Sequence, residues 1–249
     1  MNKVKTILAL SDFSDGSTNA ALYASRLLNA RLTQFGQGNK ARLILLNSFD
    51  NGINRTALLI SIEDILHNDS VNGLKKQAAK IHSMGGEGIE IETQSIPGDI
   101  KRAIDSVVKK NDIQLIAAGI SSRRYHINIP ILFLGMNKHP VLLVPEKCSF
   151  SPINEIALID DGVSLSNDSI AKSFGNIIPY EKIKNHTISV FGKSIENKTS
   201  KKLQNIIAKH HIGLIVIIPS PGDKTDKLLS EHRINNLISS VETVISDIL

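Results

Sequence analysis

The sequence predicts an α/β protein: two tandem open parallel-sheet, Rossmann-like units, the second shortened. Three observations carry this. Short apolar runs alternate with amphipathic helical stretches along the chain, the pattern of a parallel sheet with right-handed crossovers. The opening stretch KTILALSDFSDGSTNAALYASRLL, Lys5 to Leu28, reads as strand, tight polar turn and helix, the first half of a βαβ unit. After residue 152 the pattern restarts.

The elements follow in order. Thr6 to Leu10 is a buried strand, and Ser14 or Asp15 caps the helix behind it by accepting from a free first-turn N–H. Ala20, Ala21, Ala24, Leu27 and Leu28 recur at helical spacing. A polar loop, Thr33 to Lys40, leads to a second buried strand, Leu43 to Leu46. Residues 57–83 suit one long helix or two broken ones, with Leu58, Leu59, Ile62, Ile65 and Leu66 on one face. Gly85 to Gly88 ends that segment, and Ile89 to Thr93 alternates as a less buried third strand. Pro97-Gly98-Asp99 opens a helix to Lys110, with Ile100, Ile104, Val107 and Val108 inward. Ile113 to Ala118 and Val141 to Val144 are the fourth and fifth strands.

PEKCSFSP, residues 145–152, is a linker between units at 1–146 and 152–249. IALIDD then echoes ILALSD, setting Asp161 opposite Asp12, and a longer echo relates residues 91–119 to the stretch from Ile188 to Pro219. Only one helix, Ser166 to Phe174, and a short strand at Ile177-Ile178 fit between Gly162 and His186. The segment Val241 to Ile248 suits a closing strand or a terminal helix. Val141–Val144 and Val241–Ile248 would be exposed apolar edges, so they are expected to meet across a pseudo-twofold contact. A homodimer is the alternative if that contact leaves the edge open.

Composition bounds the function. Of 249 residues, 41% are hydrophobic and 21% charged, ordinary for a globular protein. Net charge is +5, but the lysines are scattered, Trp is absent and aromatics are 4%, which argues against a nucleic-acid binder. One cysteine, Cys148, permits no internal disulfide and fits a reducing compartment. No signal-peptide pattern or run approaching the roughly 20 apolar residues of a membrane helix is present, so a cytoplasmic protein is expected, without a membrane partner. His210, His211 and His232 lack Cys or acidic partners at ligand spacing, so no metal site is expected. No Ser-His-Asp or paired-carboxylate set is evident, and the turn SDFSDGS lacks the paired glycines of the SGGxDS turn used by adenylating enzymes. A non-enzymatic protein is expected, acting on unknown protein partners or a small ligand.

Taken together, ILALSDFSDGSTNAALYASRLL, ARLILLNSFD, DIQLIAAG and HPVLLVPE resemble the universal stress proteins in order and spacing, and the second half resembles the degenerate second domain of tandem members. The resemblance implies strand order 3-2-1-4-5 and a dimer-like pairing of domains. In members that bind ATP, an Asp after the first strand contacts the nucleotide, and Asp12 matches it. The chain after the second strand lies against adenine, here near Asn47 and Ser48. A motif Gly-x2-Gly-x9-Gly-Ser/Thr after the fourth strand holds the phosphates, because glycines let backbone N–H groups approach an anion. Gly119 matches its first glycine, but Ser122 stands at the second, and Gly135 falls only a few residues before the fifth strand. The expectation is a stress-response binding or regulatory protein with ATP binding lost or weak. The alternative is a sensor of an adenine nucleotide, ATP or AMP, or of a small anion. There Ser121, Ser122, Arg123 and Arg124 would replace the lost glycines, since the guanidinium fork suits phosphate.

Overall fold

The computed structural model describes residues 4–35, 40–49, 59–85, 88–120, 139, 141–146, 149–150, 155–160, 184–189 and 214–217. They form β1 (Lys5–Leu10), α1 (Asp15–Phe35), β2 (Ala41–Phe49), α2 (Leu59–Ser83), β3 (Glu90–Pro97), α3 (Ile100–Lys110), β4 (Leu115–Ile120) and β5 (Val141–Pro145). Beyond these come β6 (Glu155–Asp160), β7 (Lys184–Ser189) and β8 (Leu214–Ile217). One sheet runs β3-β2-β1-β4-β5-β8-β6-β7. The first five strands are mutually parallel, in the expected order.

β1 lies at the centre because it can be buried on both faces. Ile7 and Ala9 point to one side and join α1 residues Ala24, Leu27 and Leu28 and α2 residues Leu74 and Ile81 in a single cluster. Leu8 and Leu10 point to the other side and are equally buried, as are Ile44, Leu46, Ile116 and Ala118 beside them. The chain runs outward through β1, β2 and β3, then crosses back over β1 to β4. Right-handed crossovers therefore put α1 and α2 on one face and α3 on the opposite one. Burial of Ala103, Ile104 and Val107 anchors α3, and Asp99 caps it by accepting from Lys101 N at 2.9 Å and Arg102 N at 3.2 Å.

Several elements differ from the sequence-based expectation. α2 is one continuous helix across Gly73, and its buried stripe is Ser70, Leu74, Gln77 and Ile81. Ile65, expected on the apolar face, is 57% exposed. Two polar residues occupy inward positions there, which hides the stripe from a hydrophobicity pattern. β3 runs on to Pro97, because its pairing with β2 continues through Ser48↔Ile96 and Phe49↔Pro97.

The free edge of β5 is taken at Val141 and Leu142 by β8, antiparallel, with Val141 opposite Ile217. The partner that the sequence suggests for that edge, Val241–Ile248, lies outside the described residues. β6 pairs in parallel with β7 on one side and β8 on the other. The order β7-β6-β8 thus repeats β2-β1-β4. The helix expected at 166–174 and the strand at 177–178 also lie outside the described residues.

Candidate functional site

The β1–α1 turn lies at the topological switch point of the sheet, where β1 has β2 on one side and β4 on the other. In open α/β sheets ligands bind in the crevice outside the strand carboxyl ends at such a point. Ser11 extends the β1–β2 ladder by donating its N–H to Leu46 O at 2.8 Å. Asp12 then folds the chain back on itself. Its Oδ1 accepts from Ser14 N at 3.0 Å and from Ser14 Oγ at 2.5 Å. Ser14 in turn caps α1: its Oγ accepts from Ser17 N at 3.1 Å, and its carbonyl from Thr18 N at 3.0 Å. Of the two expected caps, Ser14 is the one in use. Asp12 Oδ2 has no hydrogen bond among the described residues.

Asn47 is buried at 7% exposure and its amide is used at both ends. Nδ2 donates to Ser11 O at 2.7 Å, and Oδ1 accepts from Ser70 Oγ at 2.7 Å. Ser70 Oγ also accepts from Ser95 Oγ at 2.7 Å, which carries the polar chain across to β3. His67 Nδ1 stands 3.5 Å from the same Ser95 hydroxyl. Ser48, one residue on, belongs by alternation to the opposite sheet face and is half-buried.

Gly119 sits on β4 against the first turn of α1. A β-carbon there would stand 2.3 Å from Gly16 C and O and 2.5 Å from Ser17 N. The missing side chain lets α1 start directly over β4.

Asp12, Asn47, Ser48 and Gly119 therefore all lie at or just beyond the carboxyl ends of β1, β2 and β4, and Asn47 holds the Ser11 carbonyl. Ser121, Ser122, Arg123 and Arg124 lie outside the described residues, as do Cys148, Asp161, His210, His211 and His232. Among the described residues no group of three or more His, Cys, Asp or Glu could hold a metal ion, and no helix is long and apolar enough to cross a membrane. Sequence reasoning missed Phe13, Ser70, Gly73 and Ser95. The available signal was a serine and a glutamine at heptad spacing with Leu74 and Ile81.

No family model matches the chain, and no curated protein matches it. Solved structures similar to it include universal stress proteins. The universal stress protein UspA from Lactobacillus plantarum is 16% identical, covers 56% of this chain and 97% of its own, and has a TM-score of 0.44. A universal stress protein from Archaeoglobus fulgidus is 15% identical, covers 92% of this chain and 83% of its own, with a TM-score of 0.49. A protein of the universal stress protein family from Burkholderia pseudomallei is 15% identical, covers 57% and 96%, and has a TM-score of 0.37.

Proposed function

We propose that the chain is a universal-stress-protein-like binding or regulatory protein, non-enzymatic, in which ATP binding is lost or weak. The observation that carries this reading is how the opening turn spends its polar groups. Asp12 Oδ1 holds Ser14, Ser14 caps α1, and Asn47 is bonded at both ends. Gly119, the one residue that matches the phosphate motif, is packed against Gly16 and Ser17. Each of these contacts serves the fold. Calorimetric titration of the purified chain with ATP tests the proposal. No saturable heat up to millimolar ATP is expected, nor turnover above the blank; micromolar binding, or hydrolysis, would overturn it.

A second reading is a sensor of ATP, AMP or a small anion, using Asp12, Ser48, Gly119 and the Ser121–Arg124 segment. The switch-point placement of the turn favours it, as does Asp12 Oδ2, which has no hydrogen bond among the described residues. On that reading a nucleotide binds wild type and Asp12→Ala abolishes the binding. In either case the two halves pair within one chain, so light scattering should report a monomer, and a dimer would refute the internal pairing.

A further inference from the structure

Two contacts dock the β1–α1 turn onto α2, one on each side of Asp12. Before it, the Ser11 carbonyl is held by Asn47, which is held by Ser70 of α2. After it, the Phe13 ring lies on Gly73 of α2: a β-carbon at Gly73 would stand 2.6 Å from Cε1 and 2.7 Å from Cζ. Ser70 and Gly73 are three residues apart, so they share one face of the helix. Phe13 has φ 64 and is 43% exposed as a residue. A non-glycine residue keeps that backbone conformation only where its surroundings hold it. A glycine inside a helix weakens it relative to alanine, so its presence at 73 calls for a packing reason, and the ring supplies one.

We infer that Ser70 and Gly73 are positioning residues for the Asp12 carboxylate, so that any displacement of α2 is passed to the turn. The docking stands on the contacts alone. Its meaning for binding rests on the second reading above, in which Asp12 faces a ligand.

Backbone NMR of the full chain tests the docking without a ligand. The Gly73 β-carbon meets the far end of a side chain, so Gly73→Ala should fold with the ring displaced. Its Phe13 and Ser14 amide resonances should shift while those of Ile7 and Ala9 stay in place. Adding Gly73→Ala to Phe13→Ala should shift nothing further in the turn. An equal perturbation in both backgrounds, or none in either, overturns the ring contact. Ser70→Ala should move the Ser11 carbonyl carbon resonance and Ser70→Thr should restore it; an unmoved resonance overturns the serine contact, and this pair stands even if Gly73→Ala does not fold.

An ATP titration then separates the two layers. Binding to wild type that weakens at least about 5-fold in Gly73→Ala supports coupling, in the usual range of coupling between sites. Equal binding in both overturns coupling. No binding in wild type, with the resonance shifts as expected, removes the ligand reading and leaves the docking intact.

Discussion

Replacing Gly119 by alanine separates its packing role from any role in holding an anion. The backbone there lies outside the left-handed region, so alanine is conformationally allowed, and the cost comes from contact alone. The new methyl group would stand 2.3 Å from Gly16 C and O and 2.5 Å from Ser17 N. A normal carbon–carbon contact is about 3.5–4.0 Å, so the overlap exceeds an ångström. The atoms it meets are backbone in the first turn of α1, which is fixed by the Ser14 cap. They cannot swing away as a side-chain end could, so α1 must lift from β4. Overpacking of this kind costs about 1–3 kcal/mol, and the rigid partner puts Gly119→Ala near the upper end. For a chain of this size that lowers Tm by roughly 5–10 °C. Urea unfolding followed by circular dichroism measures it. A loss below about 0.5 kcal/mol, the range of an ordinary surface substitution, would refute the packing argument.

Three further outcomes follow from the same geometry. Ser14→Ala removes the acceptor of Ser17 N and should cost about 1 kcal/mol, read as a lower urea midpoint at unchanged slope. Gln114→Ala strips the 2.6 Å acceptor from the buried Thr6 N–H. It should cost about 1–3 kcal/mol, with faster hydrogen exchange at Thr6. Leu28→Ala empties a fully buried position between α1 and the sheet and should cost about 2–5 kcal/mol, by the same unfolding assay.

The opening of the chain was legible because local signals agree there. Five strand residues, a small polar turn and alanines at helical spacing each admit one reading, and the fold uses all three. α3 was legible for the same reason, down to its Asp99 region and inward Ile104 and Val107. The α2 stripe was not, because Ser70 and Gln77 face inward while Ile65 faces solvent. A polar side chain can sit in the core when a partner is at hand: Ser70 finds Asn47 and Ser95, and Gln77 donates to Thr18 Oγ1 at 3.0 Å. Those partners come from other elements, so a hydrophobicity pattern does not carry them. The sequence shows the third strand only as far as Thr93, because an edge strand with half-exposed residues such as Gln94 and Ser95 has little alternation.

That β8 pairs with β5 at Val141 and Leu142 was not legible, for a topological reason. The internal echo identifies LIVI as the counterpart of the fourth strand, but similarity between repeats does not say which edges meet. At the candidate site, Asp12, Asn47, Ser48 and Gly119 all lie at the expected strand ends. The brace behind them was invisible, since Phe13 and Gly73 are 60 residues apart in the chain and meet only after α2 has docked.

The antiparallel join between β5 and β8 also sets the strand ends of the two halves apart. β6 runs parallel to β8, so every strand before the join points one way and every strand after it points the other. Leu10 ends its strand on one rim of the sheet and Asp160 ends its own on the far rim. The carboxyl ends of β1 and β6 therefore have the full height of the sheet between them. Anything taken up by both halves would enter from opposite sides, as two separate occupancies.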